Sequence, residues 1–285
     1  MPYAIFLCMC FLARFAAAMD TSPASLRSRL WQAVHCEAAA SAADEPLLAS
    51  FLHMTVLRHR SIEDVLSFHL SSKLGAAVMD SRAVMELISE ALASDASLCE
   101  AMLTDIEAYY IRDPACDAYS TPLLYYKGFH AIQSYRVTHW LWQQGRRTLA
   151  LFLQNRVSEV MGVDIHPAAK LGRGIMLDHA TGFVVGETAV IGDNVSILQG
   201  VTLGGTGKES GDRHPKIANG VLIGANATVL GNITVGECAK IGAGSVVLEA
   251  VPPHATVAGV PARIVAMAGR DTPALSMDQR FVGLT

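Results

Sequence analysis

The sequence has little aromatic and little charged material. Phe, Trp and Tyr make up 7% of the 285 residues and Asp, Glu, Lys and Arg 17%. A core short of large rings must be built from Ala, Val, Ile and Leu, which suit tight, repetitive packing. Lys and Arg number 22 against 26 Asp and Glu, with no basic cluster, which excludes a nucleic-acid surface held by phosphate contacts. No apolar run reaches the ~20 residues of a membrane-spanning helix. The run in "MPYAIFLCMCFLARFAAAMD" is too short and lacks the basic residue that precedes the apolar part of a secretion signal. Residues 1–24 therefore read as an extension or a misassigned start, with Met19 as the alternative, and the protein as cytoplasmic. The six cysteines, Cys8, Cys10, Cys36, Cys99, Cys116 and Cys238, form neither CxxC pairs nor a disulfide ladder. They read as reduced thiols, and no metal is expected.

What is present follows two grammars. Over residues 25–160 apolar residues recur at three- and four-residue spacing, as in "LRSRLWQAVHCEAAASAA" and "RAVMELISEALAS", which predicts an all-α domain. Asp44 before Pro46 and Thr121 before Pro122 read as helix N-caps. "PLLYYKGFHAIQSYRVTHWLWQQG" reads as one long amphipathic helix ending at Gly145, its aromatics serving core or subunit contacts.

From residue 161 the period becomes six. Stepping from Ile165 gives Leu171, Leu177, Phe183, Ala189, Val195 and Val201, all apolar. A second row runs Val185, Ile191, Ile197, Leu203, and the rows resume as Ile217, Ile223, Val229, Val235, Ile241 and Val247. A heptad helix cannot hold a period of six, and this density of glycine would destabilise one. The pattern predicts a left-handed parallel β-helix over residues 161–265, three six-residue steps closing a triangular coil. A Gly-rich polar stretch at 204–220 interrupts the register and reads as a protruding loop carrying Arg213 and His214. Residues 266–285 read as a tail. Inside the rows, "GIMLDHATG" places Asp178 and His179 among small and apolar neighbours, where a charged pair needs partners or a task. By a count of six His179 falls in the row of Val185 and Ile191.

Three blocks, "RDPACDAYSTPLLYYKGFHAIQSYR", "VDIHPAAKLGRGIMLDHATGFVVGETAVIGDNVSILQGVTLGGTGK" with "GDRHPKI", and "PPHATVAGVPARIV", resemble the serine acetyltransferase family of hexapeptide-repeat acyltransferases. The resemblance spans residues 26–282. It implies acetyl transfer from acetyl-CoA to the L-serine hydroxyl, yielding O-acetylserine for cysteine biosynthesis. It implies His179 as general base, oriented by Asp164, with Asp113 and Asp178 on the amino and hydroxyl end of serine. Arg213 would pair with the serine carboxylate beside His214. Trimers stacked into a hexamer through the helical domain are implied too, with CoA between adjacent β-helices and cysteine as feedback inhibitor. Family members that bind cysteine synthase end in a tail closing on Ile; this sequence ends "RFVGLT", so that complex is not expected.

The residue types fit these tasks. A serine hydroxyl attacks only as its proton leaves, and His, with an unperturbed pKa near ~6.5, is the commonest base for that step. A zwitterionic substrate needs acid and base groups, and Arg matches a carboxylate bidentately. CoA is held mainly by backbone in such folds, so Gly204, Gly205 and Ala225 near the pantetheine, and Lys240 and Arg263 for phosphates, are the candidates. Other readings stay open from residues alone: Asp113 as a turn cap before Pro114, His166 as structural, Glu187 as a solvent-facing corner, and Arg213–His214 as solvated loop residues. The acceptor could also be homoserine or a sugar. A metal site on His166, His179 and His214, like that of γ-class carbonic anhydrases, or a non-catalytic scaffold, are the readings from other classes.

Overall fold

The structure, a computed structural model, describes residues 23–207, 210–267 and 272–280. The extension before them, including Cys8 and Cys10, and the last residues, Gly283–Thr285 among them, lie outside the described residues. Helices come first: α1 Pro23–Asp44, α2 Pro46–Leu52, α3 Ile62–Leu74, α4 Ser81–Ser94, α5 Ala96–Arg112, α6 Ser120–Tyr125, α7 Lys127–Gln143 and α8 Arg147–Met161. A π-helical turn, His53–Leu57, extends α2. Ser61, Asp80 and Asp95 cap α3, α4 and α5 by accepting from the backbone N–H of Asp64, Ala83 and Ser97.

Three expectations for this half are corrected. Glu45, not Asp44, caps α2, accepting from the Leu47 N–H, while Asp44 closes α1. Thr121 lies inside α6, whose start is capped from a distance: the Glu37 carboxylate of α1 accepts from the N–H groups of Tyr119 and Ser120 at 3.2 and 2.8 Å. The long amphipathic helix is two helices broken at Tyr126, where ψ is 109°. The second of them, α7, is buried on nearly every side from Gly128 to Leu141, because helices cover one flank and the β-helix the other. Gly145, just past its end, takes a φ of 76° as a helix-terminating glycine does.

After Gly162, whose left-handed φ of 65° ends α8, the chain coils. The strands are β1 Val163–Ile165, β2 Lys170–Leu171, β3 Met176–Leu177, β4 Phe183–Val185, β5 Val190–Ile191, β6 Ser196–Ile197, β7 Thr202–Gly204, β8 Lys216–Ile217, β9 Leu222–Ile223, β10 Thr228–Leu230, β11 Thr234–Val235, β12 Lys240–Ile241, β13 Val246–Val247, β14 Ala255–Gly259 and β15 Ala262–Met267. They form three sheets: β1-β4-β7-β10-β13, β2-β5-β8-β11, and β3-β6-β9-β12-β14-β15. Pairing is parallel except for β14 with β15. The chain visits the first, second and third sheets in turn, the parallel β-helix that the six-residue period predicts.

The ladders differ from the count in one respect. On Ile165 stack Val185, Leu203, Val229 and Val247; on Leu177 stack Ile197, Ile223, Ile241 and Val257. Phe183 stacks on Val163 instead. The row counted from Ile165 to Val201 therefore joins two ladders. Between Leu177 and Phe183 the register slips by two residues, where His179 and Ala180 take φ of 55° and 62°. A second slip, between Leu203 and Ile217, accommodates the loop.

The open end of the first coil is closed by side chains. Strands β1, β2 and β3 are terminal in their sheets, so one edge of each offers unpaired backbone groups. From α7, His139 donates to the Pro167 carbonyl (2.7 Å), Tyr135 to that of Ala169, and Arg136 to that of Gly172 (2.9 Å). From α5, Arg112 donates to the Gly174 carbonyl (2.9 Å) and Asp105 accepts from the Ile175 N–H (2.8 Å). The Tyr109 hydroxyl both donates to the Leu177 carbonyl (2.8 Å) and accepts from its N–H (3.0 Å). Asp105, fully buried, also accepts from Gln133 and Arg136, so Asp105 and Arg136 form a buried ion pair on this seam.

A short helix, α9 Pro273–Ser276, brings the chain back over the third sheet. Ser196 donates to the Ala274 carbonyl at 2.8 Å, and Lys240 to the carbonyls of Asp278 and Arg280 at 2.9 and 2.6 Å.

Candidate active site

The first cluster occupies the corner between the third and first sheets. The two-residue slip lifts His179 out of the ladder, and its side chain is 75% exposed. The inward position that a count of six gives His179 is therefore corrected: the extra residues turn the backbone through left-handed φ and aim the imidazole outward. Its Nε2 lies 3.6 Å from Asp178 Oδ2. Burial and the nearby Asp113 charge push the Asp178 carboxyl up, while His179 pulls it down. Asp113 follows the C-terminus of α5. It caps its own turn, accepting from the Ala115 N–H at 2.8 Å, and also accepts a hydrogen bond from the Tyr126 hydroxyl. The turn-cap reading and the proximity to Asp178 thus hold together. Lys127 donates to Thr181 Oγ1 at 2.5 Å on the far side of His179.

The second cluster occupies the corner between the first and second sheets. Arg213 pairs with Glu187 at 2.8 Å, which holds that carboxyl below its usual range. Thr188 organises the loop: its hydroxyl oxygen accepts from the N–H groups of Arg213 and His214 at 3.0 and 3.1 Å. The Thr188 N–H donates to His214 Nδ1 at 3.2 Å. Nδ1 is therefore an acceptor, and the proton of a neutral ring sits on Nε2. Burial and then Arg213 depress the His214 pKa, which favours that neutral form. Gly186 makes the room, since a Cβ there would lie 2.0 Å from the His214 ring. Neither Thr188 nor Gly186 stood out in the sequence; their signal was only adjacency to Glu187 in the repeat. His166 stands nearby, burial lowering its pKa against the pull of Glu187 and Asp164.

Asp164, on β1, points outward from the first sheet and accepts from Gln154 of α8 at 2.6 Å. Its electrostatic neighbour in this chain is His166. Gly204 and Gly205 lie where β7 enters the Arg213 loop, and Ala225 follows β9 on the His179 corner. Lys240 lies on the third sheet under the returning chain, and Arg263 on β15 lies 3.9 Å from Glu249. In one chain, then, Asp113, Asp178 and His179 come together on one corner and Arg213 and His214 on another. The first sheet separates them. Among the described residues no group of three or more His, Cys, Asp or Glu is placed to hold a metal ion.

Two family models match the chain: "Serine acetyltransferase, N-terminal" over residues 30–134 and "Bacterial transferase hexapeptide (six repeats)" over 214–249. The serine acetyltransferase of Salmonella typhimurium is 62% identical over 255 residues, 90% of this chain and 93% of that protein. The crystal structure of the Vibrio cholerae serine acetyltransferase superposes with a TM-score of 0.89 at 60% identity, covering 90% of this chain and all of that one. A serine acetyltransferase in complex with cysteine superposes at 0.88 with 57% identity and the same coverage. Others solved with serine, from Neisseria gonorrhoeae, and with coenzyme A, from Brucella abortus, superpose at 0.81 and 0.83.

Proposed function

The chain belongs to the serine acetyltransferase family, and on that premise we propose that His179 is the general base of a site completed by two copies of the chain. The reaction is transfer of the acetyl group of acetyl-CoA to the L-serine hydroxyl. Asp113 and Asp178 take the serine ammonium, and their surroundings support this, because burial and then the Asp113 charge raise Asp178, and a cation between the two carboxylates offsets both. Arg213 of a neighbouring copy takes the carboxylate, exchanging its Glu187 partner for the substrate. His214 donates from Nε2 beside it. His179 accepts the hydroxyl proton as the serine oxygen attacks the thioester carbonyl. The tetrahedral intermediate collapses, the C–S bond breaks, and the imidazolium returns the proton to the CoA sulfur. No covalent enzyme intermediate is needed. Asp164 would orient His179 across the same interface.

The observation that carries this reading is the split of the site over two corners flanking the first sheet. The second sheet presents Lys170 and Lys216, and the third is covered by the chain itself. The outward row of the first sheet is Asp164, Val184, Thr202, Thr228 and Val246, small and nearly uncharged. Packed around a three-fold axis on that sheet, the His179 corner of one copy meets the Arg213 corner of the next. Leu47, Leu48 and Met54, exposed around α2, support stacking of two trimers through the helical domain of residues 25–160. CoA would follow the same groove past Gly204, Gly205 and Ala225, with Arg263 for phosphate. A phosphate role for Lys240 requires the carbonyls of Asp278 and Arg280 to release it. The solved cysteine complex supports cysteine, with the same charged ends as serine, as an inhibitor at this site. The thiols of Cys99, Cys116 and Cys238, which form no disulfide, support the cytoplasm as its compartment. No described helix is long and apolar enough to cross a membrane.

The test is His179→Ala, assayed by serine-dependent release of CoA thiol. Turnover should fall about 10²-fold or more with the oligomer intact, and a fall under about tenfold removes the general base. Homoserine and sugars as acceptors in the same assay should give no saturable rate.

A further inference from the structure

The catalytic turn sits on the terminal coil: the next coil binds its flanks on one side, through Asp178 N–H to the Ile197 carbonyl (2.8 Å) and Gly200 N–H to the Thr181 carbonyl (2.9 Å), and the helices hold them on the other. On the near side, Asp178 follows Leu177 directly. The peptide groups of Leu177 that face away from β6 have one partner atom, the Tyr109 hydroxyl, at 2.8 and 3.0 Å. Tyr109 is 1% exposed and its ring is wedged edge-on against Tyr126 and Phe129 at 5.7 and 6.1 Å. Gly128 of α7 presses on the same peptide: a Cβ there would lie 1.9 Å from the Leu177 oxygen and 3.0 Å from the Tyr109 hydroxyl. On the far side, Lys127, the neighbour of Gly128, holds Thr181. Between these two anchors lie Asp178, His179 and Ala180, the last two in left-handed backbone that nothing in the coil repeat enforces.

We infer that Tyr109 and Lys127 are positioning residues for acetyl transfer: Tyr109 fixes the Leu177 peptide before Asp178 and Lys127 fixes the Thr181 side chain after His179, so that the imidazole meets the serine hydroxyl at a set distance. The helical domain thereby builds half of the acceptor site. This rests on the His179 reading, and it assigns the precision of that base to a different part of the fold. A general base depends steeply on such placement, since a shift of about 1 Å can cost about 10²-fold in rate.

Two variants test it, Tyr109→Phe and Lys127→Met, with His179→Ala in the same assay as reference. Tyr109→Phe keeps the ring and removes both bonds to Leu177. The expected result is a kcat lower by about tenfold or more and a raised serine KM, with the acetyl-CoA KM within about twofold of the parent and the oligomer unchanged. Lys127→Met, at an exposed bond, should show the same pattern at about threefold or more. A purely structural role would lower the melting temperature and leave kcat per folded site and both KM values in place; that result overturns the inference. If Tyr109→Phe does not assemble, Lys127→Met decides alone, and an unchanged kcat overturns it. Loss of activity in His179→Ala with parental kinetics in the other two rejects the positioning role and leaves the base standing. Retained activity in His179→Ala rejects the base itself.

Discussion

Room made by single residues decides what the site can hold. Gly186 is the clearest case, since its hydrogen stands where any larger side chain would meet the His214 ring. Gly186→Ala should push His214 off the Thr188 N–H and lower kcat/KM for serine by about tenfold, the worth of one hydrogen bond near a charged group, while the acetyl-CoA KM holds. Parental steady-state kinetics in serine would show that His214 does not meet the substrate. From sequence Gly186 was one repeat glycine among several, because the residue it accommodates lies 28 positions on. His179, Asp178 and Arg213 were legible through the family's motifs. Their division between two corners was not, because a six-residue period gives the sheet a residue visits and says nothing of which copy faces it.

Among the elements, α3, α6 and α7 meet over a buried histidine pair. His69 and His130 stack edge to face at 5.0 Å and bond to the consecutive carbonyls of Leu124 and Leu123, at 2.9 and 2.8 Å. Burial drives His69 down to about 4, with Lys73 adding to it, and His130 down to about 3, with His69 adding to it. Unfolded, each would titrate near ~6.5, so between there and about 4 the unfolded chain binds protons that the folded one refuses. Stability is therefore unaffected by this pair above about pH 6.5 and falls as pH drops below it. Thermal midpoints measured from pH 7 to 4 should decline, and His69→Gln should flatten that decline; an equal slope in the variant would place the acid sensitivity elsewhere. The helices that carry the pair were legible from their three- and four-residue spacing. The break at Tyr126 was not, since the glycine beside it, Gly128, lies inside α7 and packs on Leu177 far along the chain, and Glu37 caps α6 from 82 and 83 positions away. Helical spacing also could not separate an amphipathic α7 from one buried all round, because the β-helix that covers it comes later in the chain.

At the scale of the whole molecule, a site shared by two copies has an arithmetic of its own. In a trimer mixed from His179→Ala and Arg213→Met chains, one interface of the three joins an intact His179 corner to an intact Arg213 corner. Co-expression of the two inactive variants should restore about one third of parental turnover per mixed trimer, where separately purified, unmixed variants give none. No recovery in isolated mixed trimers would put both corners in one chain's site. Six-residue periodicity made the β-helix legible, and Gly-rich polarity its loop, but the slip at His179 hid inside an unbroken run of apolar matches. That slip has a further consequence, drawn from where it lies. An inner coil is bound on both sides to the length of its neighbours, so added residues must be repeated above and below or leave the wall as a loop, as they do between Leu203 and Ile217. The first coil has a neighbour on one side only, and on the other side it meets side chains, which can reach a displaced peptide without copying its shape. Novelty in a periodic structure is cheapest at its boundary. The reactive histidine stands on a rung at that boundary, where side chains rather than a second copied coil meet the added residues.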